Sequence, residues 1–300
     1  MARKKWLNDN MRIAGIVIML ASSSFHVSLA SRLPEGHKGG RRLVWSDEFN
    51  RDGQPDTIVW NYEQGFVRNH EAQWYQPQNA WQENGLLIIE ARREHRPNPT
   101  YYAHSQHWGQ QRPTIEYTSA CLTTRGKREF RFGSLEVSAR IPTSAGAWPA
   151  IWTLGSKMPW PSCGEVDLME YYPIGGEPHI LANVAWGNDR PFNAVWNSKR
   201  IPLTHFTSQN PDWVQYFHTW RMDWDEVSIR LYLDGELLNE VPLSITLNGS
   251  IGRHTNPFTE SQYLLLNLAL GGDNGGDIDD SAFPLRYEID YVRIYEWDKP

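Results

Sequence analysis

The stretch Gly164-Glu165-Val166-Asp167-Leu168-Met169-Glu170-Tyr171-Tyr172 decides the predicted fold, because it places three carboxylates in one short apolar run. Its Val, Leu, Met and Tyr residues are typical of a β-strand, in which side chains alternate between the two faces. Glu165 and Asp167 therefore share a face. Glu170 is one residue out of phase, and a β-bulge at Leu168-Met169 would return it to that face. The alternative is a solvated edge strand with ordinary surface acids.

Acids on the face of a strand that also makes core contacts need a reason, since an unpaired charge is costly to bury. A curved strand that lines an open cleft supplies that reason. Two carboxylates on either side of a sugar bond are the usual catalytic groups for glycoside hydrolysis. The stretch therefore predicts a catalytic strand in a glycosidase.

The rest of the chain repeats short runs of β-branched and aromatic residues, separated by Gly, Pro, Asn and Asp. The clearest runs are 86–92, 134–141, 227–233 and 287–295. Asp234-Gly235 predicts a hairpin between two runs, and no long stretch has a helical period. The pattern indicates antiparallel sheets packed face to face. The polar stretches 93–113 and 271–281 are predicted to be long loops, and we expect the first to wall one end of a cleft.

Composition limits the classes of partner. The formal net charge is −6, so no basic field attracts nucleic acid, and we expect no nucleic-acid partner. Tryptophan (15) outnumbers tyrosine (13) and phenylalanine (10), and flat amphipathic rings are suited to stacking on sugar faces. The alternative use of these rings is the core of the sandwich.

The amino terminus predicts export. Basic residues precede the apolar run 13–21, and Ser28-Leu29-Ala30 offers small residues before a cleavage point. That run is too short to span a bilayer, which needs about 20 residues. We expect a signal peptide over 1–30, a single catalytic domain over 31–300, no membrane span, a monomer, and a periplasmic or extracellular location. Export also permits a disulfide between the two cysteines, Cys121 and Cys163, although sequence cannot show whether they are within reach.

The chain resembles glycoside hydrolase family 16, in its laminarinase-like branch, whose pattern is E-x-D-x-x-E preceded by a W-P-A-I-W strand. Here Glu165, Asp167 and Glu170 follow the block 146–155, which contains Trp148-Pro149-Ala150-Ile151-Trp152. Further ordered matches cover nearly the whole chain after the leader, at 43–49, 84–92, 132–140, 217–224, 265–272 and 287–295. The resemblance implies a β-jelly roll, a sandwich of two antiparallel sheets with a concave substrate cleft.

The resemblance also implies roles for residues. It implies Glu165 as nucleophile, Glu170 as general acid and base, and Asp167 as the group between them. No cofactor is expected for catalysis. The residues implied to contact substrate are Trp148, Trp152, Asn69, Glu71, Trp186 and Asn267. A structural calcium ion on the convex face is implied to bind Glu48, the carbonyl of Gly85, and Asp290, although Asp290 also fits a plain surface acid.

The expected substrate is a polysaccharide, cleaved internally with retention of configuration. β-1,3-Glucan or mixed β-1,3/1,4-glucan is favoured by the laminarinase resemblance. The alternative is an endo-β-1,4-galactosidase acting on mucin-type or keratan-type glycans that contain N-acetyllactosamine, because Ala185 stands where many relatives carry histidine. A non-catalytic sugar-binding module would be expected to have lost Glu165 or Glu170, and both are present. A structural or adhesive secreted protein would not explain the carboxylates.

Overall fold

Strands dominate the computed structural model, which describes residues 40–298. The predicted leader, residues 1–30, lies outside the described residues. The strands are β1 (Arg41–Asp47), β2 (Asn61–Tyr62), β3 (Gln73–Tyr75), β4 (Ala80–Glu83), β5 (Leu86–Pro97), β6 (Thr114–Ser119), β7 (Cys121–Thr123), β8 (Glu129–Phe130), β9 (Gly133–Arg140), β10 (Ala147–Gly155), β11 (Glu165–Ile174), β12 (Glu177–Gly187), β13 (Ala194–Pro202), β14 (His218–Trp224), β15 (Ser228–Leu233), β16 (Glu236–Pro242), β17 (Gln262–Leu270) and β18 (Leu285–Trp297).

Helical structure within residues 40–298 is short. It consists of α1 (Thr204–Thr207), α2 (Gly272–Gly275) and the 3-10 turns Pro77–Asn79, Trp108–Gln110, Trp213–Gln215, Leu243–Ile245, Ser250–Gly252, Pro257–Thr259 and Asp280–Ala282.

The strands form two sheets. The outer sheet has the order β16-β15-β14-β9-β18-β5-β6-β3, with β1 beside β18 and β4 beside β5. The second sheet, here called the cleft sheet, has the order β13-β12-β11-β10-β17-β7-β2, with β8 beside β17. Neighbouring strands are antiparallel, except that the short β3 runs parallel to β6. The predicted jelly-roll sandwich is confirmed.

The core lies between the two sheets and explains several of the tryptophans. Trp60, Trp220 and Trp224 are almost completely buried there, with relative exposures of 0–1%. On β12 and β17, one set of alternate residues, such as Val184 and Leu266, belongs to this core. The other set points to the opposite face of the cleft sheet. Each strand of the cleft sheet therefore presents one row of side chains to the core and one to the cleft.

The predicted bulge is confirmed on β11. Asp167 pairs with Asn183 on β12 and Glu170 pairs with Leu181, so Leu168 and Met169 together oppose one residue of β12. Both bulged side chains are fully buried in the core. The extra residue returns Glu170 to the face that carries Glu165 and Asp167.

Local turn chemistry gives one confirmation and one correction. Asp234 and Gly235 join β15 to β16 with φ of 49° and 85°, as the hairpin prediction requires. The loop predicted at 93–113 begins later, because β5 continues to Pro97 with exposure alternating from one residue to the next. Sequence reasoning missed this extension, because the residues of the alternation are all polar or charged except the final proline.

The two cysteines remain free thiols, both buried. Cys121 lies on β7, and Cys163 lies just before β11. Strands β10 and β17 separate these two positions, which corresponds to about 14 Å at the usual strand spacing. A disulfide needs Cα atoms within about 7 Å, so the bridge considered from sequence does not form.

Candidate active site

A cleft of about 630 Å³ opens on the cleft sheet above β10, β11 and β12. Its lining contains the three carboxylates of β11 together with aromatic and amide side chains. A groove of about 680 Å³ beside β3 is lined by glutamines, prolines, Ile115, Trp74 and Arg96, with no carboxylate. Only the cleft on β11 therefore carries groups suited to acid–base chemistry, among these two.

The three carboxylates are held by neutral donors and by each other. The Trp148 indole N–H donates to Glu170 Oε1 at 2.9 Å, and the Asn183 amide donates to Glu170 Oε2 at 2.9 Å and to Asp167 Oδ2 at 3.1 Å. The Trp160 indole N–H donates to Glu165 Oε2. Asp167 lies within hydrogen-bonding reach of both glutamates. The order along the cleft is therefore Glu165, Asp167, Glu170.

Burial without a counter-ion shifts all three acids in one direction. Burial raises the pKa of Glu170 to about 7, against the hydrogen bond from Trp148 and with the help of the charge of Glu165. Burial also raises the pKa of Glu165 and, together with both neighbouring glutamates, holds the pKa of Asp167 well above its usual range. Glu170 is thus a proton donor at neutral pH. The raised pKa of Asp167 favours its protonated form, which is the form that can donate a hydrogen bond to Glu165.

Trp148 and Trp152 both lie on the cleft face of β10, as expected from their spacing. The Trp152 indole N–H donates to Asn267 Oδ1 at 2.7 Å, and Asn267 in turn donates to the Tyr75 hydroxyl at 3.1 Å. The guanidinium of Arg68 lies 5.0 Å from the Trp152 ring centre. Asn267 borders the cleft but is only 5% exposed. Its main role is therefore to orient the Trp152 ring through this hydrogen bond.

Asn69 and Glu71 lie in a tight turn at one end of the cleft. Asn69 and His70 have φ of 53° and 49°, and the Asn69 amide donates to Glu71 Oε1 at 3.2 Å. Gln73 donates to the other oxygen of Glu71 at 2.7 Å. Burial raises the pKa of Glu71, which is 2% exposed. Asn69 therefore faces the cleft from a turn that Glu71 fixes.

The loop from Asn98 to Pro113 supports this turn from behind. Arg112 donates to the carbonyls of Glu71 and His70 at 2.6 and 2.8 Å. The same guanidinium lies 4.7 Å from the ring centres of Phe66 and Trp108. The loop thus fixes the end of the cleft through the turn.

The prediction that Trp186 contacts substrate is wrong. Ala185 pairs with Glu165 and shares its face, so Trp186 points to the opposite face and packs in the core. The cleft residues that sequence reasoning missed are Arg68, Ala150, Leu154, Trp160, Tyr172, Asn183, Trp196, Ser198, Arg200 and Asn274.

The residues implied to bind calcium lie on the outer sheet. Strand β18 pairs with β5 up to Ile289 and with β1 from Val292, so Asp290 falls in the gap where Glu48 follows β1 and Gly85 precedes β5. Glu48 accepts two hydrogen bonds from Arg293, at 2.9 and 2.7 Å, and Asp290 accepts one from Ser138 at 3.2 Å. No group of three His, Cys, Asp or Glu side chains suited to a metal occurs within residues 40–298. Two carboxylates and a carbonyl are oxygen ligands of the kind that calcium binds, and the fit goes no further than this donor chemistry.

Comparison with known proteins agrees with this geometry. The family described as Glycosyl hydrolases family 16 matches residues 66–293. A β-glucanase from Rhodothermus marinus is 33% identical over 267 residues, 85% of each chain, and a keratan-sulfate endo-1,4-β-galactosidase from Sphingobacterium multivorum is 27% identical over 85% of this chain and 55% of its own. A solved structure from work on endo-acting O-glycanases, with which prominent members of the human gut microbiota initiate mucin breakdown, superposes with a TM-score of 0.75. It is 33% identical and covers 88% of this chain and 94% of its own.

Proposed function

Because the chain belongs to glycosyl hydrolase family 16, we propose that it cleaves β-1,3-glucan or mixed β-1,3/1,4-glucan internally, with retention of anomeric configuration. The observation that carries the proposal is the ordered row Glu165, Asp167, Glu170 on a bulged strand at the floor of an open cleft. The choice of glucan is supported by the 33% identity to a β-glucanase over 85% of both chains.

The geometry supports a two-step reaction. Glu170, with a pKa raised by burial to about 7, gives its proton to the oxygen of the glycosidic bond as that bond breaks. Glu165 attacks the anomeric carbon and forms a covalent glycosyl intermediate. Glu170, now ionised, takes a proton from the water that releases the sugar. Asp167 donates a hydrogen bond to Glu165 throughout, which limits the negative charge on the nucleophile and helps it to leave.

The test is hydrolysis of laminarin, barley β-glucan, keratan and mucin side by side, with Glu165→Gln as the inactive control. NMR of the first product should show the β-anomer, and early products should be oligosaccharides of mixed length. An initial α-anomer would contradict retention. A monosaccharide as the sole early product would contradict internal cleavage.

A second substrate class, β-1,4-galactosyl bonds in N-acetyllactosamine-containing glycans, is favoured by two observations. The mucin O-glycanase structure superposes with a TM-score of 0.75 at 33% identity. The position beside Glu165 on β12 is Ala185, which offers a substrate no polar side chain there. Cleavage of keratan or mucin with inert glucans would select this class and leave the catalytic residues unchanged.

Export remains part of the proposal. It rests on the leader-like sequence of residues 1–30 and predicts that the protein recovered from outside the cytoplasm starts near residue 31. Mass spectrometry of that protein tests it. Within residues 40–298, no helix is both long and apolar enough to cross a membrane. We also propose a monomer, which sedimentation measures directly.

A structural calcium ion held by Glu48, the Gly85 carbonyl and Asp290 is the last part of the proposal. Calcium would have to separate Glu48 from Arg293, so its binding is expected to be weak. The measurement is the melting temperature with calcium and with a chelator, compared with Asp290→Asn. A calcium-dependent rise in the wild type that the variant lacks supports the site.

A further inference from the structure

Three parallel rows of side chains cross the cleft sheet from β11 to β13. Strand register places Glu165 beside Ala185 and then Trp196 in the first row. The second row is Asp167, Asn183 and Ser198, and the third is Glu170, Leu181 and Arg200. Strand β13 therefore ends each catalytic row with a residue that is not acidic. We call Trp196, Ser198 and Arg200 the β13 wall.

Trp196 and Arg200 of the β13 wall are exposed, whereas the two tryptophans of β10 are covered. Trp196 is 46% exposed, whereas Trp148 and Trp152 are 5% and 8% exposed. Ala185, which lies between Glu165 and Trp196 in the first row, is fully buried, so Trp196 is the exposed aromatic side chain at the β13 end of that row. Because Trp196 is exposed and lines the cleft, its indole offers an aromatic surface on which a sugar ring can stack.

Arg200 differs from the other arginine in the cleft. Arg68 is paired with Glu63 and lies over Trp152. Arg200 lines the same cleft, and no carboxylate within residues 40–298 pairs with it. Burial raises the pKa of the Tyr172 hydroxyl, and the charge of Arg200 opposes that shift, which places the guanidinium near Tyr172. Arg200 thus presents an uncompensated positive charge about 10 Å across the strands from Glu170.

We propose that the β13 wall binds a glycan chain that carries anionic groups, with one sugar ring on Trp196 and the carboxylate or sulfate of a neighbouring sugar on Arg200. Arginine suits this task because its planar fork pairs with both oxygens of an oxyanion. Trp196, Ser198 and Arg200 are alternate residues on one face of β13, with about 13 Å between the Cα atoms of Trp196 and Arg200, so the stacked ring and the anionic group belong to neighbouring sugars of one chain. The inference rests on the proposed function, and it adds that the cleft prefers a charged glycan to its neutral equivalent.

The experiment compares neutral, carboxymethylated and sulfated forms of whichever polysaccharide the wild-type enzyme cleaves. The measured quantity is the ratio of kcat/KM on the charged polymer to kcat/KM on the neutral polymer. Arg200→Gln is expected to lower this ratio about 5- to 10-fold, the loss of one charge-assisted contact. Trp196→Ala is expected to lower kcat/KM on all forms alike. A fall with only one of the charged forms supports the proposal and identifies the oxyanion.

Lys199→Gln is the matched control, because Lys199 is the adjacent residue of β13 and points to the other face of the strand. It removes the same charge and should leave the ratio unchanged. An equal ratio in wild type and Arg200→Gln, or an equal fall in Lys199→Gln, would overturn the proposal. Failure of the proposed function is a separate result, since the wild-type enzyme would then cleave none of the neutral or charged glycans.

Discussion

The carboxylates of the outer sheet and those of the cleft sheet have different hydrogen-bond partners. On the outer sheet, Glu90 accepts hydrogen bonds from Arg92 and Arg286 at 2.7 and 2.8 Å. Glu136 and Glu288 are likewise paired with arginines, Arg41 and Arg140. In the cleft, Glu165, Asp167 and Glu170 have tryptophan and asparagine donors instead. The nearest cation that acts on Glu165, Arg68, is already paired with Glu63.

The difference shows how one fold makes the same side chain structural in one place and reactive in another. An arginine partner keeps a carboxylate ionised, and such a group cannot donate a proton at neutral pH. Burial beside other acids does the opposite and favours the protonated form. Burial beside other acids thus raises the pKa of Glu170 as a proton donor requires, while the hydrogen bonds from Trp160 and Asp167 and the charge of Arg68 favour the ionised form of Glu165 that a nucleophile requires.

The largest expected effect is on turnover, and it distinguishes the carboxylates of the cleft sheet from those of the outer sheet. Glu165→Gln and Glu170→Gln should each lower kcat by at least about 10³-fold, because one removes the nucleophile and the other the proton donor. Glu288→Gln on the outer sheet should leave kcat near the wild-type value. Rates on the best polysaccharide, with circular dichroism to verify the fold, provide the measurement. Near wild-type turnover by either cleft variant would refute the assignment.

Asp167→Asn should lower kcat less, by roughly 10- to 100-fold, because Asp167 adjusts its neighbours without forming a bond to the sugar.

Asp167→Asn should also stabilise the fold at alkaline pH relative to the wild type. The pKa of Asp167 is raised in the folded protein, so its contribution to stability is full below about pH 4 and is lost as pH rises. The melting temperature of the variant relative to wild type should therefore increase between pH 5 and pH 8. A constant or decreasing difference would contradict the raised pKa.

The row Glu165, Asp167 and Glu170 could be predicted from the sequence because the argument uses only residues that are close together in the chain. Glu165 and Asp167 share a face by strand parity alone, and a bulge at Leu168-Met169 is the condition that brings in Glu170. The two packed antiparallel sheets followed from many short alternating runs and from turn residues such as Asp234-Gly235, and the resemblance to glycoside hydrolase family 16 narrowed them to a jelly roll. These features depend on residues close together in the chain.

Other residues needed strand register, which local patterns do not give. Trp186 was assigned to the cleft, but Ala185 occupies the cleft face. One signal could have revealed this: Gly175 and Gly176 form a two-residue turn, and counting back from it through the bulge pairs Ala185 with Glu165. The same count cannot predict which residue of β12 pairs with Trp196, because a loop of six residues, 188–193, separates β12 from β13.

A smaller effect tests the outer sheet. Glu90→Gln removes an acceptor shared by Arg92 and Arg286, and it should lower the free energy of unfolding by about 1–2 kcal/mol, because the Glu90 side chain is only 9% exposed. Turnover should not change. Glu296→Gln is the control, since the pair of Glu296 with Arg42 is 62% and 68% exposed and should contribute almost nothing. Urea unfolding compares them, and equal losses would contradict the role of burial.

The smallest expected effect is a shift in pH dependence that distinguishes two tryptophans of the same strand. Trp148 donates to Glu170 and lowers its pKa, whereas Trp152 donates to Asn267. Trp148→Phe removes the hydrogen bond to the ionised form, so the pKa of Glu170 should rise above its value of about 7. A lost bond of about 1 kcal/mol corresponds to roughly 0.5–1 pH unit.

Because Glu170 must be protonated to act as the acid, the alkaline limb of kcat/KM should move to higher pH in Trp148→Phe. Trp152→Phe should lower kcat/KM without moving that limb. A limb that moves in both variants, or that moves to lower pH in Trp148→Phe, would show that another group controls it.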